Sequence, residues 1–444
     1  MDGRKRLTSR RRIIIENYLE ERAVLVGLAA DIHDPEQRSS PESLAELAAL
    51  LETAGGVAVE TMLQKRHSPD PHSFIGPGKA AELKERLLAG GCTLALFDNE
   101  LSPSQMRALS AELGCRVADR SGLILDIFAQ RAQTREGRLQ VQLAQYKYTL
   151  PRLTGMWTHL DRETSAGSGP VGARGTGETQ LESDRRLIRR KIDRLEAELK
   201  EVRQVRATQR GLRQRTGVPV AALVGYTNAG KSTLLNALTG AGIPARDRLF
   251  DTLDTTTRRL TLEGGRQILI SDTVGFIRKL PHHLVEAFKA TLEELAFADL
   301  ILQVVDVSHP EWRQQAAVAE SLIDELARPE TPRLTVYNKA DLLSSPDDLP
   351  EGKDLLAVSA VTGAGLEELK RRMAALLERD RRCFRLMLPY GEGALLERLH
   401  REGRVLELEY GEQGVTLTVE APRPLWQKLA PFSLDPPALP EEDE

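Results

Sequence analysis

Cysteine is scarce in this chain of 444 residues. Its three cysteines, Cys92, Cys115 and Cys383, lie far apart with no metal-like spacing. That usage argues against a disulfide framework and fits a reducing, cytoplasmic setting. Long apolar runs are missing too. The basic start MDGRKRLTSRRRIII reaches Glu16 after only three apolar residues, so neither a signal peptide nor a membrane-spanning segment is expected. Charge excess is also lacking: 61 Lys and Arg stand against 65 Asp and Glu, a net charge of −4. The chain as a whole therefore has no electrostatic reason to seek nucleic acid.

What is present is ordinary globular composition, 41% hydrophobic and 28% charged, in a chain too long for a single core. From residue 22 strands and helices alternate: AVLVGLA, SPESLAELAALLETAG, VAVETMLQ, GPGKAAELKERLLAGG, CTLALFD, SPSQMRALSAELG and CRVADR. Strict alternation predicts parallel strands joined by crossover helices. Residues 121–150 and 178–212 each read as a long helix, and Ile188, Ile192, Leu195, Leu199 and Val202 of the second form a 4-3-4-3 seam. Such a seam fits an internal hairpin better than a dimer, and hence a monomer. Between the helices lies the glycine-rich stretch 163–180. A second alternation follows, including a helix over 283–298. The expected organisation is a basic arm over 1–21, an α/β domain over 22–125, a helical hairpin with a Gly-rich tip over 126–215, a doubly wound P-loop domain over 218–378, a small α+β domain over 381–432 and an acidic tail over 433–444. The fold class is α/β.

One local charge excess stands out. Residues 181–215 carry twelve Arg or Lys against six Asp or Glu. This is either a solvated coiled-coil face or a surface that tracks RNA phosphates.

The chemistry is concentrated in residues 225–360. GYTNAGKST runs Gly225, Tyr226, Thr227, Asn228, Ala229, Gly230, Lys231, Ser232, Thr233 and fits G-x-x-x-x-G-K-[ST] at a strand-to-helix junction. Backbone amides and the helix N-terminus would cradle phosphates, Lys231 would reach the β- and γ-phosphates, and Ser232 would hold Mg²⁺. Asp272, Thr273, Val274 and Gly275 form a D-x-x-G, in which Asp272 orients the Mg²⁺ shell through water and the Gly275 amide senses the γ-phosphate. In FDTLD, comprising Phe250, Asp251, Thr252, Leu253 and Asp254, a threonine is needed to close over the metal. Thr252 is favoured, with Thr255, Thr256 and Thr257 as rivals that spacing does not separate. NKAD, which is Asn338, Lys339, Ala340 and Asp341, selects guanine, because one carboxylate can accept both N1–H and N2–H₂. Ser359 and Ala360 complete the purine pocket. Lys231, Thr252 and Gly275 are thus the expected catalytic groups, with GTP or GDP and Mg²⁺ as cofactors.

One residue is missing from this set. Small signalling GTPases carry a Gln directly after D-x-x-G to orient the attacking water. Here Phe276 stands in its place, and a phenyl ring cannot hold a water.

GYTNAGKST, FDTLD, DTVGF and NKAD, preceded by ARGTGETQLE, resemble the HflX family of ribosome-associated GTPases over residues 22–378. The resemblance implies that Thr252 binds Mg²⁺, that the chain binds the large ribosomal subunit and its RNA, and that it splits stalled or idle ribosomes in a nucleotide-dependent way. It directs the loop at 163–180 toward the peptidyl transferase centre and favours RNA contact by Arg174, Arg185, Arg186, Arg189 and Arg190. Hydrolysis without the Gln then needs a ribosome contact or a cation. Asn228 matches a K⁺ ligand of potassium-stimulated relatives, or is simply a turn residue. Two alternatives stay open: an ATP-driven remodeller using the glycine-rich turn FIGPGKAAEL of the N-terminal domain, and a ribosome-binding module whose hydrolysis is vestigial.

Overall fold

The computed structural model describes residues 21–32, 37–155, 176–216, 218–240, 242, 249–250, 252, 255–262, 266–279, 294–343, 355–379 and 381–434. The expected basic arm up to residue 20, the glycine-rich stretch up to residue 175 with Arg174, most of the helix over 283–298 and nearly all of the acidic tail lie outside them.

The first layer is a four-stranded parallel sheet of β1 (Arg22–Ala30), β2 (Val57–Arg66), β3 (Leu94–Phe97) and β4 (Arg116–Asp119), in the order β2-β1-β3-β4. The crossovers are α1 (Pro41–Ala54), α2 (Pro77–Ala89) and α3 (Pro103–Leu113). Ser40 and Ser102 each close a reciprocal capping box, on Ser43 and Gln105, and proline follows each as the first helical residue. These caps satisfy amides that the first turn leaves without partners. Strand periodicity splits β1 between two cores. Ala23 and Leu25 face α1, while Val24, Val26 and Leu28 face Leu83 of α2 and Leu109 of α3.

The single helix expected over 121–150 is two, α4 (Arg120–Arg131) and α5 (Arg135–Thr149). The break falls where Thr134 caps the second helix, its hydroxyl accepting from the Gly137 amide at 3.0 Å. Residue periodicity runs straight through such a corner, so apolar spacing did not reveal it. A long helix, α6 (Thr176–Thr216), packs along α5. Its Leu195 and Leu199 bury against Leu139 and Leu143, with Ile192 and Val202 alongside.

The second sheet contains β5 (Val220–Gly225), β6 (Thr256–Thr261), β7 (Gln267–Asp272), β8 (Leu300–Asp306), β9 (Arg333–Asn338) and β10 (Leu356–Ala357). Its order is β10-β9-β8-β5-β7-β6. All neighbours are parallel except β6, which runs antiparallel to β7. Sequence reading passed over β6, because TTRRLT lacks apolar alternation; it is a polar edge strand, whose β-branched residues suit a pleated surface. The flanking helices are α7 (Lys231–Thr239), α8 (Trp312–Leu326) and α9 (Leu366–Arg379). Because β5 has β8 on one side and β7 on the other, the turn after it opens at the carboxyl edge where the strand order reverses, the place for a ligand.

The core on the α1 side of the first sheet continues without interruption into the second. Leu47, Ile124, Phe128 and Val141 share one cluster with Tyr226, Phe250, Val274, Phe276 and Ile277. The C-terminal sheet has β11 (Arg381–Leu388), β12 (Arg404–Tyr410) and β13 (Val415–Pro422), in the antiparallel order β11-β13-β12. It is covered by α10 (Gly393–Glu402) and by α11 (Arg423–Leu429), a helix the sequence reading did not include.

Candidate active site

The loop after β5 carries the phosphate-binding candidates. Lys231, at the start of α7, is 5% exposed, and its ammonium donates to the Gly225 and Tyr226 carbonyls at 3.0 and 2.8 Å. Burial lowers its pKa to about 8, with Asp272 pulling the other way. Gly230 enters α7 at φ 88°, and a Cβ there would run into the Asn338 amide. Asn228 is exposed, with φ 63°. Thr233 is half-buried, and Ala229 and Thr227 are buried.

Three side chains meet beside this loop. The Ser232 hydroxyl donates to Asp272 Oδ2 at 2.6 Å and lies 3.2 Å from the Thr252 hydroxyl. Asp272, at the end of β7, is 1% exposed, and its Oδ1 has no hydrogen-bond partner among the described residues. Burial raises its pKa, against the opposing pull of Lys231. A buried carboxylate oxygen without a donor is costly unless something positive completes it. Two hydroxyls and a carboxylate form the hard, oxygen-only donor set that suits Mg²⁺. Of the rival threonines, Thr256 and Thr257 are committed to β6, where the Thr257 hydroxyl lies 3.2 Å from that of Ser271. Asp251, Leu253 and Asp254 lie outside the described residues.

The D-x-x-G loop is zipped onto the phosphate loop. The Phe276 amide donates to the Gly225 carbonyl at 3.1 Å, and the Thr227 amide donates to the Phe276 carbonyl at 2.7 Å. Gly275 is pressed so close that a Cβ would sit 2.6 Å from Thr227 Cα. Val274 is buried, and the Thr273 hydroxyl donates to the Leu223 carbonyl at 2.7 Å. The ring of Phe276 is 2% exposed. It serves as a packing anchor in the core shared by the two sheets.

The base-binding candidates assemble at the ends of β9 and β10. Asn338 donates to the Ala229 carbonyl at 2.9 Å and accepts from the Ala360 amide at 3.1 Å, so one buried amide ties the phosphate loop to the SA turn. Ala340 donates to the Val358 carbonyl at 3.2 Å, and the Ser359 hydroxyl accepts from the Thr362 amide at 3.0 Å. Lys339 has φ 62°, and its ammonium pairs with Asp306 at 2.6 Å. Asp341 is exposed, its carboxylate open to a ligand.

Sequence reasoning missed a second group, which joins the switch loops to the first sheet. The Phe250 amide donates to the Thr227 hydroxyl at 2.9 Å, and the Phe250 ring meets Phe128 of α4 edge to face at 4.6 Å. Arg120, 2% exposed, reaches Asp98 at 2.9 Å with one nitrogen and Glu46 with another. Glu46 also accepts from the Tyr226 hydroxyl, and Lys279 pairs with Asp98. Burial works against the Asp98 charge, yet Arg120 and Lys279 outweigh it and hold the carboxyl below its ordinary range. The only sequence signal was charge inside apolar patterns, such as the aspartate closing LALFD.

Residues 41–129 match the family described as GTP-binding GTPase N-terminal, residues 131–213 the GTP-binding GTPase Middle Region, and residues 220–339 the 50S ribosome-binding GTPase. The chain is 44% identical over 414 residues to GTPase HflX of Lacrimispora saccharolytica, covering 93% of this chain and 96% of that protein. It is 41% identical over 416 residues to GTPase HflX of Escherichia coli, covering 92% and 95%. Among solved structures it is similar to a GTP-binding protein of the archaeon Sulfolobus solfataricus in complex with GDP, at 23% identity and a TM-score of 0.42, covering 81% of this chain and 99% of that one.

Proposed function

The chain belongs to the HflX family of GTPases, and from that premise we propose that it binds and hydrolyses GTP, associates with the large ribosomal subunit and splits stalled or idle ribosomes. The observation that carries the hydrolytic reading is the meeting of Ser232 and Thr252 with Asp272, one carboxylate oxygen of which has no partner among the described residues.

Ser232 and Thr252 would hold Mg²⁺ directly, and Asp272 through water. Bound there, the ion would supply neutralisation of the phosphate charge. The amides opening α7 bind phosphate oxygens, and Lys231 turns its ammonium from backbone carbonyls toward them. Gly275 brings its amide to the γ-phosphate. Asp341 accepts the two guanine donors, while Asn338 holds the base pocket and the phosphate loop in register. Lys339, fixed by Asp306, flanks the base.

Phe276 cannot orient water, so ordering of the attacking water falls to the ribosome or to a cation at Asn228. We assign K⁺ to that position for test, beside its plain use as a turn residue. On the ribosome side, Arg186 and Arg190 are exposed on the face of α6 opposite the one that packs on α5, Arg189 is exposed at its flank, and the half-exposed Arg185 lies on the line of Ile188 and Ile192. That division of faces supports RNA contact by Arg186 and Arg190 first. The GTP form must then bind the subunit more tightly than the GDP form, since a nucleotide can shift the equilibrium only through differential affinity.

The deciding experiment measures GTP turnover with and without large subunits, in K⁺ and in Na⁺, alongside subunit release from intact ribosomes on a gradient. Strong stimulation by subunits, with GTP-dependent release, is expected. Turnover that stays negligible in every combination would leave a ribosome-binding module. Competition at the site by ATP over GTP would favour the ATP-driven remodeller.

A further inference from the structure

The loop after Gly275 is held from two sides. On one side, the Phe276 backbone is bonded to Gly225 and Thr227. On the other, the Arg278 amide donates to the Tyr226 hydroxyl at 2.8 Å, and Lys279 stands in the left-handed region at φ 52° with its ammonium on Asp98. A lysine keeps that backbone conformation only where its surroundings hold it. The groups that hold the Arg278 amide and the Lys279 ammonium trace back to α1, β3 and α4, through Glu46, Asp98 and Arg120, while the Arg278 guanidinium pairs with Glu311, just before α8, at 2.8 Å.

Tyr226 is the pivot. If packing were its only role, a phenylalanine would fill the same space without burying a hydroxyl. Burial and the adjacent Glu46 push the phenol pKa well above its ordinary value, so the hydroxyl keeps its proton. It must therefore donate to Glu46, and its lone pair is left to accept from the Arg278 amide. Glu46 in turn is held by Arg120, whose other nitrogen is fixed on Asp98. The direction of each hydrogen bond in the chain is thereby set.

We propose that Glu46 is a positioning residue for GTP hydrolysis: held by Arg120, it orients the Tyr226 hydroxyl, which fixes the Arg278 backbone and so sets where the switch loop stands over the γ-phosphate site. The proposal rests on the reading of that site as hydrolytic and adds a contribution from the N-terminal layer. It also gives Phe276 a partner role, since the loop is anchored by its ring on one side and by this relay on the other.

The test compares Tyr226→Phe, Glu46→Ala, Glu46→Gln and the Tyr226→Phe/Glu46→Ala double variant by GTP kcat and KM, GDP affinity, and hydrogen exchange of the Arg278 amide. Tyr226→Phe and Glu46→Ala should each lower kcat roughly five- to tenfold and speed that exchange, with GDP affinity held within about twofold, because the hydroxyl is taken up by Glu46 and the Arg278 amide. The double variant should be no slower than the slower single one, as for residues acting in one chain. Glu46→Gln should fall between wild type and Glu46→Ala, because its one amide oxygen can still accept from the phenol while its NH2 then faces the Arg120 guanidinium, donor against donor. Unchanged kcat and exchange in Tyr226→Phe, additive losses, or GDP affinity falling in step with kcat would overturn the relay. If Glu46→Ala does not fold, Tyr226→Phe decides alone. Absence of turnover in the wild type would sink the hydrolytic reading instead, and Arg278 exchange would still decide whether the relay exists.

Discussion

In the nucleotide pocket, Lys231 is buried on two backbone carbonyls and one oxygen of buried Asp272 has no partner among the described residues, whereas at the seam between the two sheets Asp98, Glu46, Arg120 and Lys279 neutralise one another. Burial governs the pocket: it drives the lysine pKa down to about 8 and the carboxyl up. At the seam, pairing wins for Asp98, which lies below its ordinary range despite being buried, and for Arg120, whose pKa is raised, while burial still lowers that of Lys279. The difference separates charge kept in readiness for a ligand from charge used to join elements. Both are buried and both lie near the switch loops, so burial alone would not have told them apart.

The comparison breaks first at Asp98. Asp98→Ala leaves Arg120 and Lys279 buried and facing each other with only Glu46 to balance them, and should destabilise the chain by about 3–5 kcal/mol in denaturant unfolding. GDP affinity of the folded fraction should hardly change. Lys231→Ala is the mirror case: kcat should fall by roughly 10²–10³-fold, as when a group aimed at developing charge is removed, while the melting temperature without nucleotide stays level or rises. A Lys231→Ala protein that melted far below wild type would erase the distinction between the two regions.

Smaller effects sharpen it. If Asp341 accepts the guanine donors as proposed, Asp341→Asn replaces one acceptor by a donor and should weaken GDP binding by about 1–3 kcal/mol, measured by calorimetry, without altering stability. The response to acid is expected to be smaller and gradual. A carboxyl whose folded pKa is depressed contributes its stability in full above the unfolded pKa of about 3.9 and loses it as pH falls through the folded value. The stability gap between wild type and Asp98→Asn should therefore be flat above about pH 4 and close below it. A gap that instead grew on acidification would show that Asp98 is not held as an ion.

The site was readable where its residues are neighbours in the chain. GYTNAGKST, DTVG and NKAD each place donors or acceptors by local backbone geometry, and each follows a strand whose apolar run marks it. The choice among threonines needed coordinates, because Thr252 is singled out by its 3.2 Å approach to Ser232 and by the commitment of Thr256 and Thr257 to β6. The edge strand β6 was missed because a strand bonded along one side needs no apolar alternation. The corner between α4 and α5 was missed because a threonine cap leaves the helical period intact.

By itself the sequence determined the α/β class, the G-x-x-x-x-G-K-[ST], D-x-x-G and NKAD motifs and the absence of the usual water-orienting glutamine, since each depends on residue type at short spacing. Only the tertiary structure decided what Phe276 does instead, burying its ring in a core shared by both sheets. It also decided that Glu46, Asp98 and Arg120 face Tyr226 and Lys279 across the seam. Residues so far apart in sequence carry no common period, and only packing brings their charges close enough for Coulomb attraction to outweigh the loss of water.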